Sequence, residues 1–448
     1  MSIVQDCDRL GRTPGILGFA VSGTEKHSER GGEGCKFQQS GRKLSNLIQC
    51  RAKTRFPPDQ HPGSRFTLHD NKSVRLSPLP QTGNRWVATG KKVPVRVYQS
   101  FHDFPKSLVD GNSYPSQQNY FLSNQWFSNL YETVLRIELD LRVYALFPDE
   151  SENEIEGVLF CGRLKSKRIL VSLTNYYTIE YGPVLFDEKS DSISIIDHFV
   201  DYISTETPAW ESVELRCLRS DTRQYGCFVG RFRSAGFYAN GYFQYENWYY
   251  PMNGKDFSAY YKERPLKLKN TIKRKAGKLR NSHNLEIKYF TENDAELETG
   301  INAYTSVYNN SWKKSEPYTD FISELIKSCA KQGILFLGIL CLNSKPVAAQ
   351  LWLSTANKFI IYKLSYDEEY KNLSVGSILS KDMFEEAFKK SECSEIDYGI
   401  GSEPYKQDWM SRVRPIGGIR AYNKKTFNGF LLAIMQQMKA GIKKFLPI

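Results

Sequence analysis

The sequence predicts an α/β (α+β) fold with mixed sheets flanked by helices, preceded by an extension that lacks regular structure. Short apolar runs rich in Val, Ile, Tyr and Phe recur from residue 96 onward, which is typical of strands. Segments with apolar residues at helical spacing lie between them. Residues 1–95 instead combine many Gly, Pro, Ser and charged residues with few apolar clusters, so we expect disorder or poor packing there.

Length and cysteine usage indicate a soluble, cytoplasmic protein of two or three domains. A chain of 448 residues accommodates domains of about 100–200 residues each. Its nine cysteines are odd in number and include no C-x-x-C pair, which argues against a disulfide framework or a zinc ribbon. No apolar run approaches the roughly 18 residues of a membrane helix, and the stretch 15–21 is too short for a secretory signal. We therefore expect neither a metal nor a membrane span.

The positive charge of the chain is concentrated near its start. The formal net charge is +12, and residues 1–97 hold 17 Lys or Arg against seven Asp or Glu, an excess of ten. The rest of the chain is close to neutral, so the charge says little about an active domain. The extension is either a segment without function or a tail that binds RNA or directs targeting.

Residues 96–283 are predicted to form a first, strand-rich lobe that ends in a basic helix. Strands are predicted at 141–148, 156–164, 168–175, 213–218 and 237–252, and helices at 122–135 and 192–205. Within 256–281, an apolar stripe at helical spacing is surrounded by seven Lys or Arg between 267 and 280. This helix is either a solvated cationic face or a surface that attracts phosphates.

Residues 284–448 are predicted to form a second lobe. Helices at 294–312 and 321–333 follow its first strand, and Gly333 is a plausible C-cap. Three strands joined by turns at 343–345 and 355–358 come next, then a helix at 375–390 and a strand at 395–401. A further strand and a closing helix complete the lobe.

The loop before the helix at 375–390 is small, basic and glycine-bearing. The first turn of a helix has unpaired N–H donors and the positive end of the helix dipole. Small residues such as Ser374 and Gly376 let the backbone approach a phosphate. The loop therefore predicts an anion site, although a plain turn with an N-cap explains the same residues.

Three stretches of the second lobe resemble a known acyltransferase fold. GILCLNSKPVAAQLWL, IYKLSYDEEYKNLSVGSILS and EIDYGIGSEPYKQDW resemble the GNAT-type domain of the CelD-like proteins of bacterial polysaccharide operons. That group is similar to the FemABX peptidyltransferases, which carry two GNAT-like lobes. The resemblance covers 284–448 and extends loosely over 96–283, including Asn124-Gln125-Trp126 and the basic helix. It implies two tandem GNAT-like lobes.

The resemblance also implies acetyl-CoA as acyl donor. GNAT enzymes bind its pyrophosphate on a loop of pattern Q/R-x-x-G-x-G/A, and here Lys371 replaces Gln or Arg while Ser374 replaces the first Gly, so the match is partial. The strand before this loop is expected to pair with the pantetheine arm through its backbone. The expected donor-binding residues are Tyr362, Ser365, Lys371, Asn372, Ser374, Val375, Gly376 and Ser377.

Carboxylates and tyrosines are the candidate catalytic groups. No histidine follows His283, which excludes a Ser-His-Asp or Cys-His site within this lobe. Asp397 lies on the strand after the donor-binding helix, where the related families place a D-x-G element. A desolvated Asp397 would have a raised pKa and act as base. Its alternative role is structural, pairing with Arg or Lys or capping a loop.

Four further residues receive provisional roles. Glu403 either supports the base or is a turn residue, and Tyr405 either protonates the leaving thiolate or fills an interface. Lys406 resembles the lysine of an F/Y-K element in FemABX-type enzymes, where it would hold a substrate phosphate or the developing oxyanion; otherwise it is a surface lysine. Gln350 is expected to face the acceptor cleft.

The resulting hypothesis is an N-acyltransferase that moves an acyl group, in the first instance acetyl, from acyl-CoA to a primary amine. The polysaccharide-operon resemblance suggests an amino sugar as acceptor. A FemABX-like aminoacyl-tRNA-dependent peptidyltransferase is the alternative favoured by the two lobes and the basic helix. The near-neutral second lobe and the CoA-style loop argue against it, and no other nucleic acid is expected. A non-catalytic GNAT module is the third hypothesis, because the loop is altered.

Overall fold

The computed structural model describes residues 95–105, 119–148, 154–186, 191–390 and 393–445. The prediction made for residues 1–95 therefore falls almost wholly outside the described part of the chain. The strands are β1 Val95–Tyr98, β2 Leu139–Leu146, β3 Gly157–Leu164, β4 Ile169–Ser172, β5 Val184–Leu185, β6 Ser212–Arg219, β7 Phe237–Pro251, β8 Leu285–Phe290, β9 Leu335–Leu342, β10 Lys345–Ser354, β11 Lys358–Tyr366, β12 Glu395–Ile400 and β13 Arg412–Asn423. The α-helices are α1 Asn124–Leu130, α2 Ser192–Thr205, α3 Arg223–Ser234, α4 Phe257–Lys262, α5 Leu266–Ser282, α6 Leu297–Asn309, α7 Thr319–Lys331, α8 Val375–Ala387 and α9 Phe427–Phe445.

The described strands form one continuous mixed sheet with two similar halves. Its order is β1-β2-β3-β4-β6-β13-β7-β12-β11-β10-β9-β8, with β5 paired to β3. In the first half, antiparallel strands β1 to β4 are followed by β6, which is parallel to β4. In the second half, antiparallel strands β8 to β11 are followed by β12, which is parallel to β11. The predicted mixed α/β fold is confirmed, and the two halves of its sheet share the same strand arrangement.

The two lobes exchange a strand. Strand β7 precedes the second lobe in sequence but lies between β12 and β13, and β13 in turn lies between β6 and β7. The pairing of β7 with β13 runs from Phe237 opposite Asn423 to Tyr249 opposite Arg412. Residues 96–283 and 284–448 are consecutive in the chain, yet each contributes a central strand to the other half of the sheet.

The helices cover the sheet for reasons visible in their sequences. Helix α2 begins after Asp191, whose carboxylate accepts from the Ile193 N–H at 3.1 Å, and it buries apolar residues at helical spacing. Helix α3, which sequence reasoning did not predict, begins after Thr222 and buries Tyr225 and two phenylalanines. Pro265 separates α4 from α5, since proline has no N–H to continue a helix.

One hydrophobic core joins the two lobes near the Asn-Gln-Trp motif. Ser123 caps α1 by accepting from the Trp126 N–H at 3.1 Å. The Trp126 ring is fully buried and lies 5.6 Å from the ring of Phe321 in α7 and 6.2 Å from that of Tyr362 in β11. The first lobe therefore packs directly against the strand that carries the candidate site.

Two turns predicted from the sequence match the described structure. The peptide after α7 turns at Gly333 with a φ of +66°, a left-handed conformation that glycine adopts without strain. Asn343 and Ser344 form the β9–β10 turn with φ values of 50° and 68°. Within the described residues, no helix has the length and apolarity that crossing a membrane requires.

Candidate active site

The two parallel strands of the second lobe separate partway along their length. Strand β11 pairs with β12 only from Lys358 opposite Glu395 to Ile360 opposite Asp397. Beyond Ile360, β11 continues to Tyr366 beside β10 but has no further register with β12. This separation leaves main-chain groups of β11 without a sheet partner on that side, as a pairing ligand would require.

A distortion in each strand accompanies the separation. The register of β11 against β10 shifts so that Leu351 opposes Lys363 and Trp352 opposes Ile361, which leaves Tyr362 as the extra residue. In β12, the register against β7 shifts between Asp397 and Ile400, and Gly399 has a φ of +67°. A Cβ at Gly399 would lie 3.3 Å from the Ile361 carbonyl oxygen, so the close approach and the backbone both favour glycine.

The Asp397 carboxylate holds the Gly399 distortion in place. Its Oδ1 accepts from the Gly399 N–H at 2.7 Å and from Nδ2 of Asn247 at 2.6 Å, and its Oδ2 lies 2.6 Å from the Arg414 guanidinium. Burial alone would raise the pKa of Asp397, but the charges of Arg414 and Lys358 and these hydrogen bonds lower it below its usual value. The expected raised pKa is therefore wrong, and the geometry is that of the structural alternative. The role of Asp397 as base was not tested and stays a prediction.

The start of α8 is an uncapped helix terminus beside a small cavity. Ser374 has a φ of 58°, and its side chain makes no capping hydrogen bond to the first turn. A cavity of about 160 Å³ lies there, lined by Tyr366, Lys371 and residues 374–377. Five expected phosphate-binding residues, Lys371, Ser374, Val375, Gly376 and Ser377, thus line one cavity. A Cβ at Gly376 would contact the Tyr366 ring at 3.2 Å, so glycine keeps the cavity open.

Charges around this cavity are mostly paired. Lys371 pairs with Glu368 at 2.9 Å, and Lys345 lies 3.3 Å from both Asp367 and Glu369. From the basic helix, Lys275 donates to the Asn372 carbonyl oxygen at 2.6 Å. Helix α5 therefore lies against the loop that precedes α8. Asn372, in that loop, contacts α5 through its main-chain oxygen.

Gln350 does not face a cleft, which corrects the expectation for this residue. Its side chain is buried, donates to the Gly376 carbonyl oxygen at 3.1 Å and to Ser380 Oγ at 2.7 Å, and accepts from Trp352 Nε1 at 3.0 Å. Two of these bonds fasten the sheet to the first two turns of α8, and the third is to a neighbour on the same strand. Gln350 therefore positions the cavity rather than lining an acceptor site.

A cluster of lysines and glutamates that sequence reasoning missed lies along the separated part of β11. Lys313, in the loop after α6, donates from Nζ to the Leu364 carbonyl oxygen at 2.6 Å. Lys363 pairs with Glu316, which also accepts from the Tyr177 hydroxyl of the first lobe. Burial and the nearby charge of Lys363 lower the pKa of Lys313 to about 7, opposed by Glu403 and assisted by Lys406.

Nothing in the sequence marked Lys313 or Glu316. Both lie in the short polar stretch between α6 and α7, which looks like an ordinary connection. Only the fold brings that stretch across β11, so a local pattern could not have identified these residues. Lys363 alternates with apolar neighbours on its strand and gave no separate signal either.

The loop after β12 supplies the other predicted groups. Lys406 is buried rather than on the surface; it donates to the Ile400 and Gly401 carbonyl oxygens and lies 2.9 Å from Glu403 Oε2. Tyr405 is 42% exposed, and loss of water around its phenol together with the charge of Glu403 raises its pKa. Glu403 therefore interacts electrostatically with both Tyr405 and Lys406. Glu403 also raises the pKa of Lys313, and Lys406 lowers it.

Tyr362 and Ser365 occupy the separated part of β11. The Tyr362 hydroxyl donates to the Tyr177 carbonyl oxygen at 3.2 Å, so this side chain turns toward the first lobe. Ser365 is buried, and within the described residues its Oγ has no hydrogen-bond partner. Their proposed contact with a donor runs through the backbone and stays a prediction.

Residues 267–407 match the sequence family described as Acetyltransferase (GNAT) domain. The match begins in the basic helix α5 and ends just after Lys406, so it spans the anion cavity, the strand separation and the loop after β12. A search of curated proteins found no match. The match covers most of the second lobe, which is therefore similar in sequence to this acetyltransferase domain.

Several solved structures share a distant likeness with most of the chain. FemX is 8% identical, with 72% of this chain and 96% of FemX covered at a TM-score of 0.49. L-PGS from Bacillus licheniformis is 12% identical, with 74% and 96% covered at a TM-score of 0.42. A tandem GNAT protein from the clavulanic acid biosynthesis pathway is 8% identical, with 73% and 98% covered at a TM-score of 0.38.

Proposed function

We propose that this protein is an N-acyltransferase that moves an acyl group from acyl-CoA to a primary amine. The observation that supports it best is the separation of β11 from β12 next to the uncapped start of α8, inside the segment that matches a GNAT domain. Acetyl is the acyl group we propose, and an amino sugar is the first acceptor to test because of the CelD-like sequence resemblance. The six free cysteines among the described residues agree with a reducing, cytoplasmic setting.

The donor would lie between the cavity and the strand gap. Residues 374–377 at the start of α8 and Lys371 line the cavity, so phosphates would bind there to the N–H groups of the first turn. The backbone of β11 beyond Ile360, including Tyr362 and Ser365, would pair with the pantetheine arm. The cavity holds no more than a few phosphate-sized groups, so the rest of the donor would extend along the strand gap.

The chemistry requires two proton transfers. The amine nitrogen forms a bond to the thioester carbonyl carbon, the carbon–sulfur bond breaks, the nitrogen loses a proton and the thiolate gains one. A neutral Lys313 amine can donate to the Leu364 carbonyl oxygen and still offer its lone pair to the leaving proton. Tyr405, a neutral phenol near physiological pH, is the group we assign to protonate the thiolate, with Glu403 and Lys406 fixing its loop.

Calorimetry with two donors tests the donor site. We expect acetyl-CoA to bind, and Gly376→Asp to weaken that binding by about tenfold or more, because a carboxylate would oppose the phosphates. Gly376→Ala is the steric control, since it adds only the Cβ that meets Tyr366. S-acetylpantetheine, a thioester that lacks the phosphates, should respond equally to both variants. Absence of acetyl-CoA binding to the wild-type protein would refute the proposal.

An aminoacyl-tRNA donor is the second candidate, and helix α5 favours it. This helix holds seven Lys or Arg and no acid, and five of the seven are exposed: Lys267, Lys273, Arg274, Lys278 and Arg280. Such a surface would bind a nucleic-acid backbone, and the affinity would fall steeply with salt. Tight tRNA binding that is lost in Lys273→Glu/Lys278→Glu, combined with no acetyl-CoA binding, would select this candidate.

A further inference from the structure

The closing helix α9 packs on the sheet through two small residues and leaves six of its large apolar side chains exposed. Gly429 and Ala433 are buried, and a Cβ at Gly429 would lie 2.3 Å from the Asn423 carbonyl oxygen and 2.5 Å from that of Glu211. The helix therefore lies very close to the end of β13. The large apolar side chains that remain exposed are Phe427, Phe430, Leu431, Ile434, Met435 and Met438.

These six side chains form one stripe. At about 100° per residue, they fall within an arc of about 140° on one side of the helix. Phe427 is 77% exposed and Met438 is 63% exposed, at the two ends of the stripe. A contiguous apolar surface of this kind marks an interaction site, whereas single exposed apolar residues are ordinary.

The segment that carries the stripe has only positively charged side chains in its sequence. Residues 424–448 contain five lysines and no aspartate or glutamate. Lys424, Lys425 and Lys439 are exposed, and Lys443 and Lys444 follow in the sequence. Glu211, from the first lobe, accepts a hydrogen bond from Asn428 at 2.9 Å, and its charge is paired with Arg168 at 2.8 Å.

We propose that α9 docks on the surface of an anionic membrane. A helix with a broad apolar stripe and a lysine-rich polar side lies in the membrane interface, with the stripe at the boundary of the acyl chains and the cations at the lipid phosphates. The Phe and Met side chains supply the apolar area and the five lysines supply the attraction. This inference rests on α9 alone and is independent of the proposed acyl transfer.

Charge disfavours the other occupants of the stripe. A second copy of the chain would bring two sets of five lysines to one interface without a compensating carboxylate from either helix. The N-terminal residues 1–97 carry an excess of ten positive charges, so they would meet like charge at α9. An anionic lipid surface provides both an apolar layer and the opposite charge.

Cosedimentation of the full chain with vesicles tests this proposal. We expect binding to vesicles of phosphatidylcholine and phosphatidylglycerol at a ratio of about 3:1, which gives the vesicle surface a negative charge. Binding to vesicles of pure phosphatidylcholine should be weaker by about tenfold or more. Phe430→Ser/Ile434→Ser/Met438→Ser should lower partition by about tenfold or more, because the apolar contact is lost. Lys424→Glu/Lys425→Glu/Lys439→Glu should lower it by a similar factor at low salt and by less at high salt.

Lys267→Glu/Lys273→Glu/Lys278→Glu in α5 is the matched control, since it reverses the same number of exposed lysines elsewhere and should leave vesicle binding unchanged. Circular dichroism verifies that each variant folds, and all substituted positions are exposed. Loss of vesicle binding in the α5 variant but not in the α9 variants would overturn the proposal. So would the absence of binding to anionic vesicles, or self-association that the apolar-stripe variant abolishes while vesicle binding persists.

Discussion

The guanidinium of Arg414 lies 2.6 Å from Oδ2 of Asp397, and both side chains are buried. The same guanidinium pairs with Glu395 at 2.8 Å and lies over the Tyr249 ring at 4.4 Å. This contact joins β13 to β12 across the intervening strand β7. It therefore stabilises the strand exchange at the point where β11 and β12 separate, and it keeps the Asp397 carboxylate ionised.

Asp397→Asn separates a structural role from a catalytic one. With the charge removed, Arg414 keeps its ion pair with Glu395 and its hydrogen bond to Asn247, and we expect the free energy of unfolding to fall by about 1–3 kcal/mol in urea titrations. The rate per folded molecule should fall by less than about tenfold. A general base would instead contribute about 10²- to 10⁴-fold. Glu395→Gln is the control, because Glu395 is the more exposed of the two carboxylates that pair with Arg414, and it should lower the free energy of unfolding by less. If Asp397→Asn instead lost about a hundredfold in rate without losing stability, Asp397 would be the base.

Lys313 predicts a pH dependence of turnover. Its pKa is lowered to about 7, so the neutral amine increases as pH rises through that value, and the rate should rise with it. Lys313→Met should lower the maximal rate by about 10²-fold or more, whereas Lys314→Met, at the adjacent exposed position, should have little effect. Stopped assays from about pH 5.5 to 9 measure both.

Lys363→Gln distinguishes Lys313 from the acceptor amine as the titrating group. Removing the charge of Lys363 while Glu316 remains should raise the pKa of Lys313 and move the midpoint of the rate profile to higher pH. The acceptor amine in solution would not respond to this change.

The lowered pKa of Lys313 also predicts how stability depends on pH. Between about pH 7 and 10.5 the unfolded chain binds the Lys313 proton more tightly than the folded protein does, so the contribution of Lys313 to the free energy of unfolding rises with pH in that window.

Gly399→Ala tests the strand distortion. Its φ of +67° and the Ile361 carbonyl oxygen 3.3 Å from the added Cβ predict a loss of about 1–3 kcal/mol in the free energy of unfolding. Gly182→Ala is the matched control, because its Cβ would meet no atom within 4 Å. Equal stability of the two variants in urea would contradict the assignment of strain to Gly399.

Gln350→Leu tests the link between the sheet and the donor cavity. The substitution leaves Trp352 Nε1 and the Gly376 carbonyl oxygen without this partner, so we expect a loss of about 1–3 kcal/mol in stability and weaker acetyl-CoA binding. Gln332→Leu, on an exposed glutamine that bonds within its own helix terminus, should change stability by less than about 0.5 kcal/mol. Unchanged donor affinity in Gln350→Leu would show that α8 is positioned by other contacts.

Local sequence patterns predicted most of the helices and strands but not their partners. The largely continuous apolar runs of β9, β10 and β11 and the turns between them were readable because residues close together in the chain impose those patterns. Helix α3 was missed, because its buried aromatic residues are interspersed with Gly and Arg. The exchange of β7 and β13 had no local signal, since pairing between residues about 170 positions apart depends on the whole sheet.

The sequence by itself determined the mixed fold and the segment around Gly376, because helix starts, turns and strand periods are set by residues close together in the chain. Only the tertiary structure decided the chemistry of the individual side chains. It buried Asp397 beside Arg414, turned Gln350 onto α8, and placed Lys313 against β11. A pKa or a hydrogen-bond partner depends on burial and on charges from distant segments, which no local pattern contains.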